Sequence, residues 1–178
     1  MAKTHDLISS VTVGSGGAAT ISFTSIPQTY TDLILELSSR GESSVNRIEV
    51  YVKINNNTSS IYSSRRIQGY DSNSVLSAQS TEVAPTSNGS FGRSNGNTST
   101  ANTFGSLKLY IPNYTSSNNK SMSVDWVQEN NSSTDWSVGF SAASWASSSA
   151  ITELVFSAES GLDFAQHSTA YLYGIKNS

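Results

Sequence analysis

The chain has 178 residues, a net charge of -3, only 13 % charged residues and no cysteine. Disulfide frameworks and thiolate metal sites are therefore excluded, and no basic cluster beyond Arg65-Arg66 is available for a nucleic-acid partner. Leu, Ile, Val and Phe number 38, and with so small a net charge that content predicts one folded domain over residues 1–178 rather than a disordered chain.

Ser, Thr and Asn total 69, so the surface is built from hydroxyls and amides and steers charged partners weakly. No apolar run reaches the roughly 18 residues of a membrane span. Met1–Asp6 leads into a strand pattern and lacks the apolar segment of a signal peptide.

In chain order, Leu7–Val13 and Ala18–Thr24 alternate apolar and polar residues. Gly14-Ser15-Gly16-Gly17 between them tolerates positive φ, which predicts a hairpin. Ile26-Pro27 breaks the pattern. Tyr30–Arg40 is a strand with Leu33, Leu35 and Leu37 on one face, and Arg40-Gly41-Glu42-Ser43 is a turn. Val45–Ile54 is the clearest strand: Ile48, Val50, Val52 and Ile54 alternate with Glu49, Tyr51 and Lys53, and a two-residue period puts one set on each face. Asn55-Asn56-Asn57 turns the chain, and Ser60–Tyr70 is a weaker strand.

From Asp71 to Asn102 the alternation fails, which predicts a long polar loop or an arm that orders against a neighbour. Regularity returns at Thr103–Ile111, then at Ser121–Glu129 with Met122, Val124 and Trp126 inward. Trp136–Trp145 puts Trp136, Val138, Phe140 and Ala142 on one face, and the phase of Trp126 and Trp136 with aliphatic residues makes them core candidates. Ile151–Ala158 and Thr169–Ile175 close the chain. About nine strands at this spacing predict an all-β fold: an antiparallel, jelly-roll-like β-sandwich whose last strand returns beside the early ones.

Residues suited to catalysis are scarce. His5 and His167 are the only histidines, and nothing in their spacing brings them together with carboxylates as metal ligands. A Ser-His-Asp site would have to use His167 with Asp163, without a nucleophile-elbow motif. The carboxylate pairs Asp125/Glu129 and Asp135/Glu153 suggest a glycosidase weakly, since Asp125 alternates out of phase with Val124 and Trp126 and so faces solvent. The expectation is no enzyme, no catalytic residue, no cofactor and no metal. A tryptophan turned outward would offer a stacking platform for a glycan.

Two segments carry a resemblance. Ile26-Pro27-Gln28-Thr29-Tyr30-Thr31-Asp32-Leu33-Ile34-Leu35 and Ser168-Thr169-Ala170-Tyr171-Leu172-Tyr173-Gly174-Ile175 together resemble segments of small all-β virion structural proteins of tailed phages, particularly aquatic ones. They cover about a tenth of the chain. The resemblance implies a capsid decoration (cement) protein, or alternatively a head-fibre or tail-fibre module that binds glycans. It implies manufacture in the host cytoplasm and a place on the capsid surface of the virion. The implied partner is the major capsid protein of the same virion, bridged by a homo-oligomer, a trimer, with no nucleic acid and no membrane. The contacts expected on this reading are Val75, Leu76, Val83, Phe91 and Arg93 in the 71–102 segment, and the N-terminal residues from Lys3 to Leu7.

Overall fold

A computed structural model describes residues 4–59, 61–70, 74–81, 89–131, 136–159 and 161–176. Among them are twelve strands and no helix: β1 (His5–Thr12), β2 (Thr20–Phe23), β3 (Asp32–Ser39), β4 (Arg47–Ile54), β5 (Tyr62–Tyr70), β6 (Ser74–Thr81), β7 (Gly89–Asn95), β8 (Gly105–Ile111), β9 (Lys120–Gln128), β10 (Ser137–Trp145), β11 (Leu154–Ala158) and β12 (Thr169–Ile175). They form an eight-stranded sheet, ordered β1-β12-β3-β8-β9-β10-β5-β6, and a four-stranded sheet, ordered β2-β11-β4-β7. All ladders are antiparallel, and β12 returns between β1 and β3. The architecture is the expected jelly-roll-like sandwich.

The core follows from the two-residue period. Ile48, Val50, Val52 and Ile54 of β4 are wholly buried, as are Ile21 of β2 and Leu154 and Phe156 of β11. They face Leu33, Leu35, Leu37, Leu107, Leu109, Val124 and Leu172 of the larger sheet. Each such aliphatic side chain contributes about 1.5–3 kcal/mol by leaving water.

Three expectations change. The Gly14–Gly17 link does not close a hairpin. β1 pairs with β12 in the large sheet and β2 with β11 in the small one, so this link crosses between sheets, with φ of 97° at Gly16 and 74° at Gly17. The 71–102 segment is not one long loop, because it carries β6, paired with β5, and β7, paired with β4. The alternation is hidden in β7 because its described buried positions are not aliphatic: Gly92, Ser94 and Asn95.

The third change concerns β10. Its inward residues are Ser137, Ser141, Ala143 and Trp145, while Val138, Phe140 and Ala142 point outward and Trp136 is half-buried. Small inward residues are required because the Trp126 indole of β9 lies across Gly139. A Cβ at Gly139 would collide with the indole's six-membered ring, and one at Gly92 would stand 2.8 Å from Leu107 and 3.2 Å from Trp126. Trp126 thus fills a socket floored by one glycine of each sheet.

Gly139→Ala is expected to cost about 1–3 kcal/mol by overpacking this socket. For a chain of this size that lowers Tm by roughly 2–4 °C per kcal/mol. Thermal unfolding followed by circular dichroism measures it, and an unchanged Tm would contradict the packing.

Candidate functional site

Inverting β10 exposes an apolar cluster. Val138 and Phe140 are each 46 % exposed, Val127 of β9 is 46 % and Ile67 of β5 is 59 %. The register sets them side by side: Val138 opposite Val127, and Phe140 opposite Ile67. They form one patch over three adjacent strands, β9, β10 and β5, of the large sheet's outer face. Contiguous exposed apolar surface of this kind marks an interaction site more often than isolated residues do.

The same row continues across the sheet from Ile67 and Phe140 to Asp125, Lys108, Glu36 and Tyr171. Leu7 of β1, 54 % exposed, stands opposite Tyr173 on this face. The face is therefore apolar around Ile67, Phe140, Val138 and Val127, bordered by exposed Arg65 of β5 and Asp125 of β9, carries a short charged strip in the middle, and is aromatic toward β12. Its charges are few and of both signs, which suits close apposition to another protein surface and gives little long-range steering.

The residues expected as contacts are dispersed. Leu7 is on the outer face. Arg93 of β7 is held within the chain, its Nε 2.6 Å from Glu49 Oε1. Val75 and Leu76 belong to β6 and Phe91 to β7, but their side chains, like Lys3 and Val83 entirely, lie outside the described residues. Val127, Val138, Phe140 and Ile67 escaped the sequence reading. Their signal was present, but apolar alternation is ordinarily taken to mark the inward face.

The alternative chemistries find little assembly. Among the described residues no group of three His, Asp or Glu is placed to hold a metal. Asp125 is exposed on the outer face, whereas the Glu129 carboxylate accepts the N–H groups of Asn130 and Asn131 at 2.8 and 2.7 Å. Trp126 and Trp145 are 1 % exposed and so are no platform for a sugar.

Glu49 ties the two sheets together at this end. Its carboxylate accepts Arg93 from the neighbouring strand β7 and Arg66 Nη2 at 2.9 Å from β5 of the other sheet. The Arg66 guanidinium lies 5.0 Å from the Trp126 ring centroid, over the socket. Burial pushes the Glu49 carboxyl upward, but the hydrogen bonds and charges of Arg66 and Arg93 outweigh it and hold the group below its ordinary value.

No protein-family model matches the chain, and no curated protein does. Among solved structures, the Caenorhabditis elegans galectin LEC-6 is similar at 10 % identity, over 94 % of this chain and 96 % of that one, with a TM-score of 0.30. At that score the likeness bears on neither ligand nor function.

The Glu49 triad has a pH signature. A carboxyl lowered in the folded state stabilises the fold above its unfolded pKa, about 4.3, and that stability is lost as pH falls through the folded value. Tm measured by calorimetry from neutral pH to about pH 3 is expected to fall more steeply in the wild type than in Glu49→Gln. Parallel curves would show that the triad contributes nothing.

Proposed function

We propose that this protein is a virion structural protein, a capsid decoration protein that binds the outside of a phage head. It bridges capsid subunits with the outer face of its eight-stranded sheet, as a closed oligomer, a trimer. The observation that carries the reading is the contiguous exposed patch of Ile67, Val127, Val138 and Phe140. A strand that turns Ser137, Ser141 and Ala143 inward and Val138 and Phe140 outward has a use for apolar surface outside its own core.

The resemblance supports the virion part. Its two segments, more than a hundred residues apart, meet as one unit. β3 pairs with β12, setting Leu33 opposite Gly174 and Leu35 opposite Leu172. Tyr30 packs over Gly174, where a Cβ would collide with its ring. Thr31 N–H donates to Ile175 C=O at 2.8 Å. Gln28 Nε2 donates to the carbonyls of Ile26 and Ile151 at 2.8 and 2.9 Å. Asp32 accepts the Tyr110 hydroxyl and the Asn113 N–H, each at 2.8 Å. The resembling residues thus hold the connection between the two sheets, which ties the resemblance to the scaffold rather than to a contact surface.

Binding a lattice that exists only after assembly stabilises the shell by mass action. Removing residues 71–102 would delete β6 and β7, so point changes on the outer face are the appropriate test. Purified protein incubated with undecorated heads is expected to co-sediment saturably at many copies per head. Val138→Asp with Phe140→Asp is expected to weaken that binding at least about tenfold, the factor that 1.4 kcal/mol represents, with Tm unchanged. Wild-type protein that fails to bind, or a double variant that binds as well, would overturn the proposal.

A further inference from the structure

Three connections meet at one end of the sandwich, away from the outer-face patch: the turn after β3, the loop from β7 to β8, and the loop from β11 to β12. Between them lies a groove of about 410 Å³ lined by Arg40, Glu42, Asn97, Asn102, Phe104, Ala165, Gln166 and His167. That volume lies within the range of small-molecule sites.

The groove is preformed by backbone chemistry. Buried Arg40 sends its guanidinium into the β7–β8 loop. Nη1 donates to the carbonyls of Thr100 and Thr103, and Nη2 to those of Asn97 and Ser99, all at 2.9 Å. Ala165 N–H donates to Arg40 C=O at 2.7 Å, and Glu42 N–H to Asp163 C=O at 2.9 Å, which fastens the β11–β12 loop to the turn. His167 N–H reaches Val13 C=O at 3.0 Å. The three walls are thus joined to one another before any ligand arrives, which cuts the ordering cost of binding.

Two wall residues hold left-handed backbone without being glycine: Asn102 at φ 63° and His167 at φ 72°. Asparagine and histidine are among the non-glycine residues that adopt this conformation most readily, and it fixes where their side chains leave the wall.

The lining chemistry selects the ligand. Glu42, Asn97, Asn102, Gln166 and His167 are exposed and supply side-chain acceptors and donors in pairs, and Phe104 offers a half-buried ring. A phosphate finds no free fork, because both terminal nitrogens of Arg40 are already on carbonyls and Glu42 repels it. A peptide finds no apolar trough for its side chains. A neutral polyhydroxylated ring fits both features, its hydroxyls to the amides and carboxylate, its C–H face to the aromatic ring.

We propose that this groove binds a saccharide. The site needs none of the tryptophans, and the proposal stands whether or not the protein binds phage heads.

The test is a nitrogen-15 NMR titration of the full chain with the methyl glycosides of galactose, glucose, N-acetylglucosamine and rhamnose. At least one is expected to shift amides confined to residues 40–42, 97–104 and 165–168. Asn102→Gly and His167→Asn keep the backbone conformation while changing the side chain. They are expected to weaken binding by about fivefold or more with Tm unchanged, as is Glu42→Gln. No shifts with any of the four sugars, shifts clustered elsewhere, or variants that bind like the wild type would each overturn the proposal.

Discussion

The Trp126 side chain sets the spacing and the polarity of this sandwich. Its indole enters from β9, lies across Gly139 of β10, and meets Gly92 of β7 from the opposite sheet. Arg66 stacks on it, and Glu49 holds Arg66 to the small sheet. A residue of this size can occupy a sandwich core only where its neighbours are small, because interiors are packed to crystal-like density. Ser137, Gly139, Ser141 and Ala143 of β10 therefore turn inward, and Val138 and Phe140 of the same strand turn out. One packing requirement in the core thus accompanies the apolar surface outside it.

The low charge of the chain shapes the rest of the fold. With 13 % charged residues, connections are fastened by backbone carbonyls, amides and hydroxyls. Two buried cations work this way, with no carboxylate partner among the described residues. Arg40 gathers the β7–β8 loop, and Lys120 Nζ donates to the carbonyls of Ser116, Asn118 and Ser147 at 2.8, 2.6 and 3.3 Å. Burial lowers the Lys120 pKa, and its ammonium sits 5.8 Å from the Trp145 ring centroid. Asn55 does similar work with no charge: its side chain binds the carbonyl of Ala150 and the N–H groups of Thr152 and Glu153. These ties position loops at both ends of the sandwich, and one set of them builds the end groove.

Much of the fold was legible wherever one face of a strand is aliphatic. Ile48 to Ile54, Leu33 to Leu37 and Leu107 to Ile111 announced their burial through a period of two. The reading ran out where the inward set is small. In β7 the described buried residues are Gly92, Ser94 and Asn95, none of them aliphatic, so the strand has the composition of a loop. In β10 the inward set is Ser137, Gly139, Ser141 and Ala143 beside the single large Trp145, so its two faces read the wrong way round. What marks a small residue as inward is a large partner on a distant strand, here Trp126, and that pairing is a matter of register rather than of local pattern. The Gly14–Gly17 link failed for a related reason, since its residues permit a tight turn and equally a crossing between sheets. The outer-face patch was hidden by the β10 inversion, and the end groove by its assembly from three separate loops.

A cryo-electron microscopy reconstruction of phage heads carrying the bound protein tests the central claim most directly. The eight-stranded sheet is expected to lie with its outer face against the shell, Ile67, Val127, Val138 and Phe140 buried in the contact. Density placing that face toward solvent, with the four-stranded sheet or the loop ends on the capsid, would contradict it.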